Sequence, residues 1–416
     1  MRIPLALARV AALALISIPG LAPIPAEALS LAAVETLAMQ HNPSLAAARQ
    51  DVAIARGLAR QDRLWPDPRL NVSGGTGNAL GSPGEFSTRV LLTQDVPLTS
   101  RIARHADVGR SGVREAYARF QARAWRVRGL VAHAYARWRN ATRAVTEVTR
   151  LVTAEHVLMG LVAARVRAAQ ISPVGASGVR LLGAQARLLR QAWRTRRHEA
   201  KADLIALIGH RPRRPWSAAE PSRWRVPAPA EALAEALARR PDLRLAEADR
   251  RYRQSVHRYQ RARRLGWMTI GAGVALDRQV LRGVPAQPVD RSIELSASLP
   301  LPFWNRNQGN RSAAAAEVVR ARTRLHALRW RIRHTVARDL FALRRLQTRE
   351  RRLADLRGRA RHAAALALQG LRLGQVHTAS ALAVFADQLT LTAAWLKTSA
   401  ATADARTALR VALGGP

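Results

Sequence analysis

The sequence carries one structural plan twice. Asn42-Pro43-Ser44-Leu45 separates a short stretch of periodic apolar residues from a longer one, and Arg240-Pro241-Asp242-Leu243 does the same 198 positions later. Proline has a fixed φ and no N–H, so it is accepted at the first position of a helix and disrupts the helix interior. Each proline therefore predicts a boundary between two helices. A chain with a single internal duplication is expected to fold as two related halves, not as a solenoid of many short repeats.

Each copy is predicted to contain a helix, a β-hairpin, a long helix, a turn and a second long helix. The stretch between the copies is rich in proline, arginine and tryptophan, as in a linker. The predicted organisation is a signal peptide over residues 1–28, a first repeat over 29–209 with its hairpin near 69–98, a linker over 210–229, and a second repeat over 230–416 with its hairpin near 267–301.

The hairpin strands alternate between apolar and polar residues, most clearly in the last strand. There Ile293, Leu295, Ala297, Leu299 and Leu301 alternate with Ser292, Glu294, Ser296 and Ser298. An alternation of period two gives a strand one apolar and one polar face. Such a strand suits a membrane barrel, with lipid on one face and water on the other, and equally the half-buried sheet of a soluble protein. Four strands cannot enclose a usable lumen, so the membrane interpretation requires several chains that share one barrel.

The helices after each hairpin are unusually long. Apolar or small residues step by four and three at Val127, Val131, Ala134, Trp138, Ala141, Val145, Val148 and Val152, and again at Leu382, Phe385, Leu389, Thr392, Leu396, Ser399 and Ala403. A sustained repeat of this kind is typical of a coiled-coil seam. No proline interrupts Arg101 to Ala168, a stretch that spans about 100 Å as one helix. The sequence therefore predicts long antiparallel coiled-coil helices.

The start of the chain has the layout of a secretory signal peptide. Arg2 and Arg9 precede an apolar run from Val10 to Ile18, and Ala26-Glu27-Ala28 forms a small-residue cleavage site. The run is too short to span a bilayer, and no later stretch is continuously apolar over the length of a membrane helix, so no helical span is expected. Cysteine is absent, which excludes disulfides, thiolate metal sites and a lipid-carrying cysteine.

The formal net charge of the chain is +40, and nearly all its cations are arginines. A basic protein can bind nucleic acid, but here the arginines recur along nearly every helical stretch, and export separates the chain from nucleic acid. We therefore predict a solvated basic surface and no nucleic-acid partner. Such a surface repels other cations and attracts anionic lipid headgroups or anionic solutes.

The sequence contains no recognisable catalytic constellation. The histidines form no pair with the spacing of a helical zinc site, and Gly74-Gly75-Thr76-Gly77 has no lysine and enters no helix, unlike a phosphate-binding loop. His377 lies near a predicted turn, and we predict a surface histidine there, with a transient metal ligand as the less favoured alternative. We therefore predict that the chain is not an enzyme and has no catalytic, cofactor-binding or resident metal site.

These features together resemble the TolC-like outer-membrane efflux family. The resemblance lies in the paired helix starts at Pro43 and Pro241, the strand ends Val96-Pro97-Leu98 and Leu299-Pro300-Leu301, and the turn Leu371-Arg372-Leu373-Gly374, and it covers the chain from about Leu29. The segment Leu92 to Leu98 and the missing lipid-carrying cysteine favour the heavy-metal, CzcC-type branch.

The resemblance implies a mainly α chain with a small β part, in which each protomer of a homotrimer gives four membrane strands to a shared trimeric 12-stranded barrel. It implies a location in the outer membrane of a Gram-negative bacterium, with the helices extending into the periplasm. A periplasmic adaptor and an inner-membrane pump of the resistance-nodulation-division type would be its partners, and heavy-metal cations its cargo. A drug-efflux duct, a type I secretion duct and, more remotely, an exported coiled-coil adaptor remain alternatives.

The resemblance also places the channel aperture and the adaptor-docking surface at the turns between the long helices. The corresponding residues are Ala169, Gln170, Ile171, Gly374, Gln375, Val376, His377 and Ser380. Well-known family members narrow the pore with carboxylates just after the second turn, but the matching positions here are Ser380 and Ala383. An acidic gate is therefore not expected. The glycine usual in the first turn is replaced by Ala169.

Overall fold

The structure, a computed structural model, describes residues 28–77, 83–218, 224–280, 285 and 288–415. The predicted signal peptide lies outside these ranges except for Ala28. The described residues form, in order, α1 (Leu31–His41), α2 (Pro43–Gln61), β1 (Arg69–Thr76), β2 (Phe86–Pro97), α3 (Arg101–Arg167), α4 (Pro173–Ile208), α5 (Pro229–Arg239), α6 (Pro241–Ala262), β3 (Trp267–Arg278), β4 (Asp290–Ser298), α7 (Gln308–Arg372) and α8 (Thr378–Ala412).

The same order of elements occurs twice: two short helices, two strands and two long helices. At the first helix boundary the Oδ1 of Asn42 accepts hydrogen bonds from the N–H groups of Ser44 and Leu45, so the side chain caps α2. Its Nδ2 donates to the carbonyl oxygen of Leu207 at 2.7 Å. At the second boundary Arg240 donates to the carbonyl oxygen of Ala412 at 3.2 Å. Different side chains thus tie corresponding boundaries to the ends of α4 and α8.

The four strands form one antiparallel sheet in the order β1-β2-β3-β4. Sequence patterns predicted two separate hairpins, and the pairing of β2 with β3 joins them. The predicted end of the last strand was wrong: Leu299 and Leu301 lie beyond β4, which stops at Ser298. Pro300 and Pro302 explain this end, because a proline has no N–H to donate to a neighbouring strand.

The long helices pack in antiparallel pairs, α3 with α4 and α7 with α8. All eight residues of the predicted α3 seam are buried, from Val127 to Val152. The helix is continuous over 67 residues, or about 100 Å. The predicted fold class, mainly α with a small β part, is confirmed. The shared barrel belongs to an assembly and stays a prediction.

Among the described helices, α8 is long and apolar enough to cross a membrane, judged by its length and composition alone. No membrane-spanning helix was predicted from the sequence. The helix packs against α7 and α3, with Phe385 and Leu396 in its buried face. Gln388 and Thr392 are buried in the same helix. Packing within the protomer covers only part of its apolar surface.

Candidate functional site: a two-faced sheet and paired helix turns

One face of the sheet is a continuous apolar surface. Residues directly opposite each other in antiparallel strands point to the same face. The register gives the rows Leu70, Leu92, Ala272, Leu295 and Val72, Val90, Val274, Ile293. Both residues of β4 in these rows are 82% exposed. A soluble monomer rarely exposes an apolar surface of this extent, so something apolar must cover it.

The opposite face is polar and internally paired. Arg89 on β2 reaches across β3 to Glu294 on β4, with 2.6 Å between Nε and Oε2. Asp95 pairs with Arg69 and accepts a hydrogen bond from the Oγ1 of Thr269 at 2.6 Å. These contacts join all four strands on one side. The sheet therefore has the two-sided chemistry of a wall between an apolar phase and water.

Both edges of the sheet are open in the described part of the chain. β1 pairs only with β2, and β4 only with β3. An edge strand presents unpaired N–H and C=O groups, each of which costs several kcal/mol in hydrocarbon. A sheet of this kind is stable in an apolar phase only when further strands continue it on both sides.

Exposed aromatic residues flank the sheet where it meets the helices. Trp65 lies between α2 and β1, and Phe303 and Trp304 lie between β4 and α7, with Trp304 88% exposed. Trp267 begins β3, and the guanidinium of Arg101 lies 4.5 Å from its ring centroid. Tryptophan beside an apolar band is typical of a membrane–water interface. This belt was not predicted from the sequence, although Trp65-Pro66 and Phe303-Trp304 adjoin the predicted strands.

At the far end of the bundle the two helix turns have the same backbone conformation. Ala169 has φ 58° and Gly374 has φ 76°. In each turn the N–H of the following residue donates a hydrogen bond back to the end of the helix. Gln170 donates to the carbonyl oxygen of Arg165 at 2.9 Å, and Gln375 donates to the carbonyl oxygen of Gly370 at 2.8 Å. A left-handed residue followed by a 6→1 backbone hydrogen bond is the Schellman motif, a common C-terminal cap of helices. The duplication thus extends to the turns.

The two turns lie side by side. The guanidinium of Arg165 donates to the carbonyl oxygen of Leu371, and an apolar cluster of all four long helices lies behind both turns. Of the predicted aperture residues, Val376 packs on this cluster and Ile171 is half-buried. The others are exposed: Ala169, Gln170, Gly374, Gln375, His377 and Ser380.

The ends of the long helices are basic. No aspartate or glutamate occurs between residues 156 and 198 or between 356 and 386, whereas arginines are frequent in both. Ser380 lies in the first turn of α8 and is exposed. The lack of an acidic gate stays a prediction.

Replacing Ala169 with glycine should stabilise the first turn. A non-glycine residue in the left-handed region costs about 1–2 kcal/mol. We expect Ala169→Gly to slow hydrogen exchange at the Gln170 amide about fivefold or more, since about 1.4 kcal/mol is a factor of ten. The matched variant Gly374→Ala should accelerate exchange at Gln375. Unchanged exchange in both variants would show that these residues do not hold the left-handed conformation.

A half-buried polar pair, His133 on α3 and Asp404 on α8, lies within the bundle. Burial raises the pKa of the Asp404 carboxyl, and the nearby His133 and Arg137 oppose this shift. Burial also lowers the pKa of His133, and Asp404 opposes that shift. Asp404 lines a cavity of about 550 Å³ together with Arg137, Asn140 and Asp203. Within the described ranges no group of three or more metal-ligating side chains comes together.

Comparisons with known proteins agree with these features. Residues 232–415 match the family model described as outer membrane efflux protein. The structure called CusC matches with a TM-score of 0.75 at 18% identity, covering 93% of this chain and 92% of that one. A membrane protein of Pseudomonas aeruginosa matches with a TM-score of 0.72 at 20% identity, covering 92% of this chain and 93% of that one. The MtrE outer membrane channel of Neisseria gonorrhoeae matches with a TM-score of 0.71 at 21% identity, covering 92% of this chain and 89% of that one.

This is the fold of outer-membrane channels. The structural matches extend over both halves of the chain, while the family model covers the second half. No curated protein matches the sequence. The two-faced sheet and the long bundle therefore belong to a fold that this chain shares with these proteins.

Proposed function

We propose that this chain is the outer-membrane exit duct of a tripartite efflux system in a Gram-negative bacterium and does not itself act as an enzyme. The observation that carries the proposal is the sheet, with an exposed apolar face, a polar face and two open edges. Lipid covers the apolar face, water fills the space at the polar face, and strands of further copies complete the edges. The helices then extend from the membrane into the periplasm.

Four strands are too few to leave a lumen, so several copies must share one barrel. We propose a homotrimer with cyclic symmetry and a twelve-stranded barrel, which is the assembly that the resemblance to the TolC-like family implies. In such an assembly one edge of each protomer packs against the opposite edge of the next. Exposed apolar residues occur on both edges of the helical layer, at Leu181 and Leu188 on α4 and at Leu356 and Leu366 on α7.

We further propose that the joined turns form the periplasmic aperture and the docking surface for an adaptor, which links the duct to an inner-membrane pump. The support is their exposure, their position farthest from the sheet and their repeated conformation. The residues are Ala169, Gln170, Ile171, Gly374, Gln375, Val376, His377 and Ser380.

Heavy-metal cations are the proposed cargo, on the basis of the resemblance of Leu92–Leu98 to the CzcC-type branch. The basic turns oppose this assignment, since an arginine-rich constriction repels a free divalent cation. A drug or a protein passed through the same duct would not meet that barrier. The fold does not choose between these cargoes, because in such a system the pump selects the substrate.

The test is a strain that lacks this chain, complemented with the intact gene or an empty vector. Loss of the chain should increase sensitivity to zinc, cobalt or cadmium salts, and the purified chain should give stepwise conductance in a neutral phosphatidylcholine bilayer. Sensitivity to hydrophobic drugs alone would replace the metal cargo with a drug cargo. Absence of any conductance from trimeric protein would overturn the duct itself.

A further inference from the structure

Five arginines converge on a groove between α2 and α3. Arg56 and Arg60 come from α2, Arg63 follows the end of α2, and Arg110 and Arg114 come from α3. The groove has a volume of about 460 Å³, and its remaining lining consists of Ala59, Ala106 and Val113, so no carboxylate lies among the lining residues.

The positive charge in the groove is largely uncompensated. Arg56 and Arg60 are four residues apart on one face of α2, where like charges destabilise the helix. Among the described residues, Arg110 has an acidic partner, Asp107, and the other four arginines have none. Asp62, at the end of α2, is directed to His105, with 3.3 Å between Oδ1 and Nε2. A bound anion would remove this repulsion.

The groove lies next to the aromatic belt of the sheet. Arg63 is two positions before Trp65, and Leu64 and Trp65 are both exposed. Arg110 lies about 14 Å along α3 from its first residue, Arg101. If the sheet spans the bilayer as proposed above, the end of the groove at Arg63 lies at the depth of the lipid headgroups on the helix side of the membrane, and the rest of the groove extends from there along the helices.

We propose that this groove binds the phosphate headgroup of an anionic phospholipid. Arginine donates two parallel hydrogen bonds to phosphate oxygens, and clusters of basic residues beside a membrane segment attract anionic lipids. Leu64 and Trp65 supply the apolar contact for the first part of the acyl chains. This proposal rests on the proposed membrane position of the sheet and assigns a role to part of the arginine excess.

The experiment is native mass spectrometry of the intact trimer after purification from bilayers with equal amounts of phosphatidylglycerol and phosphatidylcholine. The wild type should retain phosphatidylglycerol in preference. The variant with Arg56→Gln, Arg60→Gln and Arg63→Gln should lose this preference. The ratio of bound phosphatidylglycerol to bound phosphatidylcholine should fall about fivefold for each arginine removed, because a basic residue near an anionic membrane surface contributes about that factor. The control carries Arg349→Gln, Arg351→Gln and Arg352→Gln, an equal charge loss on an exposed part of α7.

Equal losses in the two triple variants would overturn the site, since the preference would then come from overall charge. Full displacement of the lipid by millimolar inorganic phosphate would also overturn it, because the groove would then be an anion site open to water. A trimer that inserts into neutral bilayers but shows no preference rejects the lipid site alone. Failure to insert into any bilayer rejects the proposed function instead.

Discussion

Leu295→Arg should prevent the chain from assembling in a bilayer. Leu295 lies on the apolar face of β4, at a row that contains Leu92 and Leu70, and its side chain is 82% exposed. An arginine facing lipid near the middle of a bilayer costs about 2–4 kcal/mol, and a trimer would carry this cost in every protomer. We expect the variant to be lost from the outer-membrane fraction and to fold into phosphatidylcholine vesicles only at lower urea concentrations than the wild type.

The matched control is Ser296→Arg. Ser296 is the next residue of the same strand and points to the polar face, where a charged side chain meets water. This variant should insert and assemble like the wild type. If the sheet were the surface of a soluble protein, both substitutions would be neutral and Leu295→Arg would improve solubility. The two interpretations therefore predict opposite results for one residue.

A pair of introduced cysteines should convert the chain into covalent oligomers. The natural sequence has no cysteine, so every cross-link comes from the introduced pair. Leu188 on α4 and Leu356 on α7 are exposed, and each lies about 22–24 Å along its helix from the paired turns. Because α4 packs on α3 and α7 packs on α8, the two leucines lie on separate helices of one protomer. In the proposed trimer they would lie at matching heights of neighbouring protomers.

We expect the variant with Leu188→Cys and Leu356→Cys to give dimer and trimer bands on oxidation or with a short bifunctional maleimide. The control combines Leu188→Cys with Val319→Cys, a residue about 55 Å farther along α7, and should give monomers only. Either single variant should also remain monomeric. Cross-links that form within one chain would contradict the proposed arrangement of edges.

Much of the fold could be predicted because its signals are local. Prolines 43 and 241 mark helix starts through their own backbone chemistry, and the α3 seam follows from a seven-residue repeat within one helix. The alternation in β3 and β4 likewise predicts two faces for each strand. These features need no knowledge of what lies next to the element.

The remaining features depend on neighbours far away in the sequence. The pairing of β2 with β3 joins residues more than 170 positions apart, such as Gln94 and Ile270, and periodicity does not identify partner strands. The arginine groove requires α2 and α3 to lie side by side, and among so many arginines its members had no distinguishing signal. The left-handed backbone at Ala169 was also hidden, because alanine normally favours a right-handed helix.

The end-on junctions at Asn42 and Arg240 have a mechanical consequence. At that level α4 and α8 end and α2 and α6 begin, so four of the helices are interrupted there. Only α3 and α7 pass through without a break. A torque applied at the turns reaches the strands through these two continuous helices and through the hydrogen bonds of Asn42 and Arg240 across the junctions. We therefore expect this level to be the plane at which one half of the molecule rotates against the other.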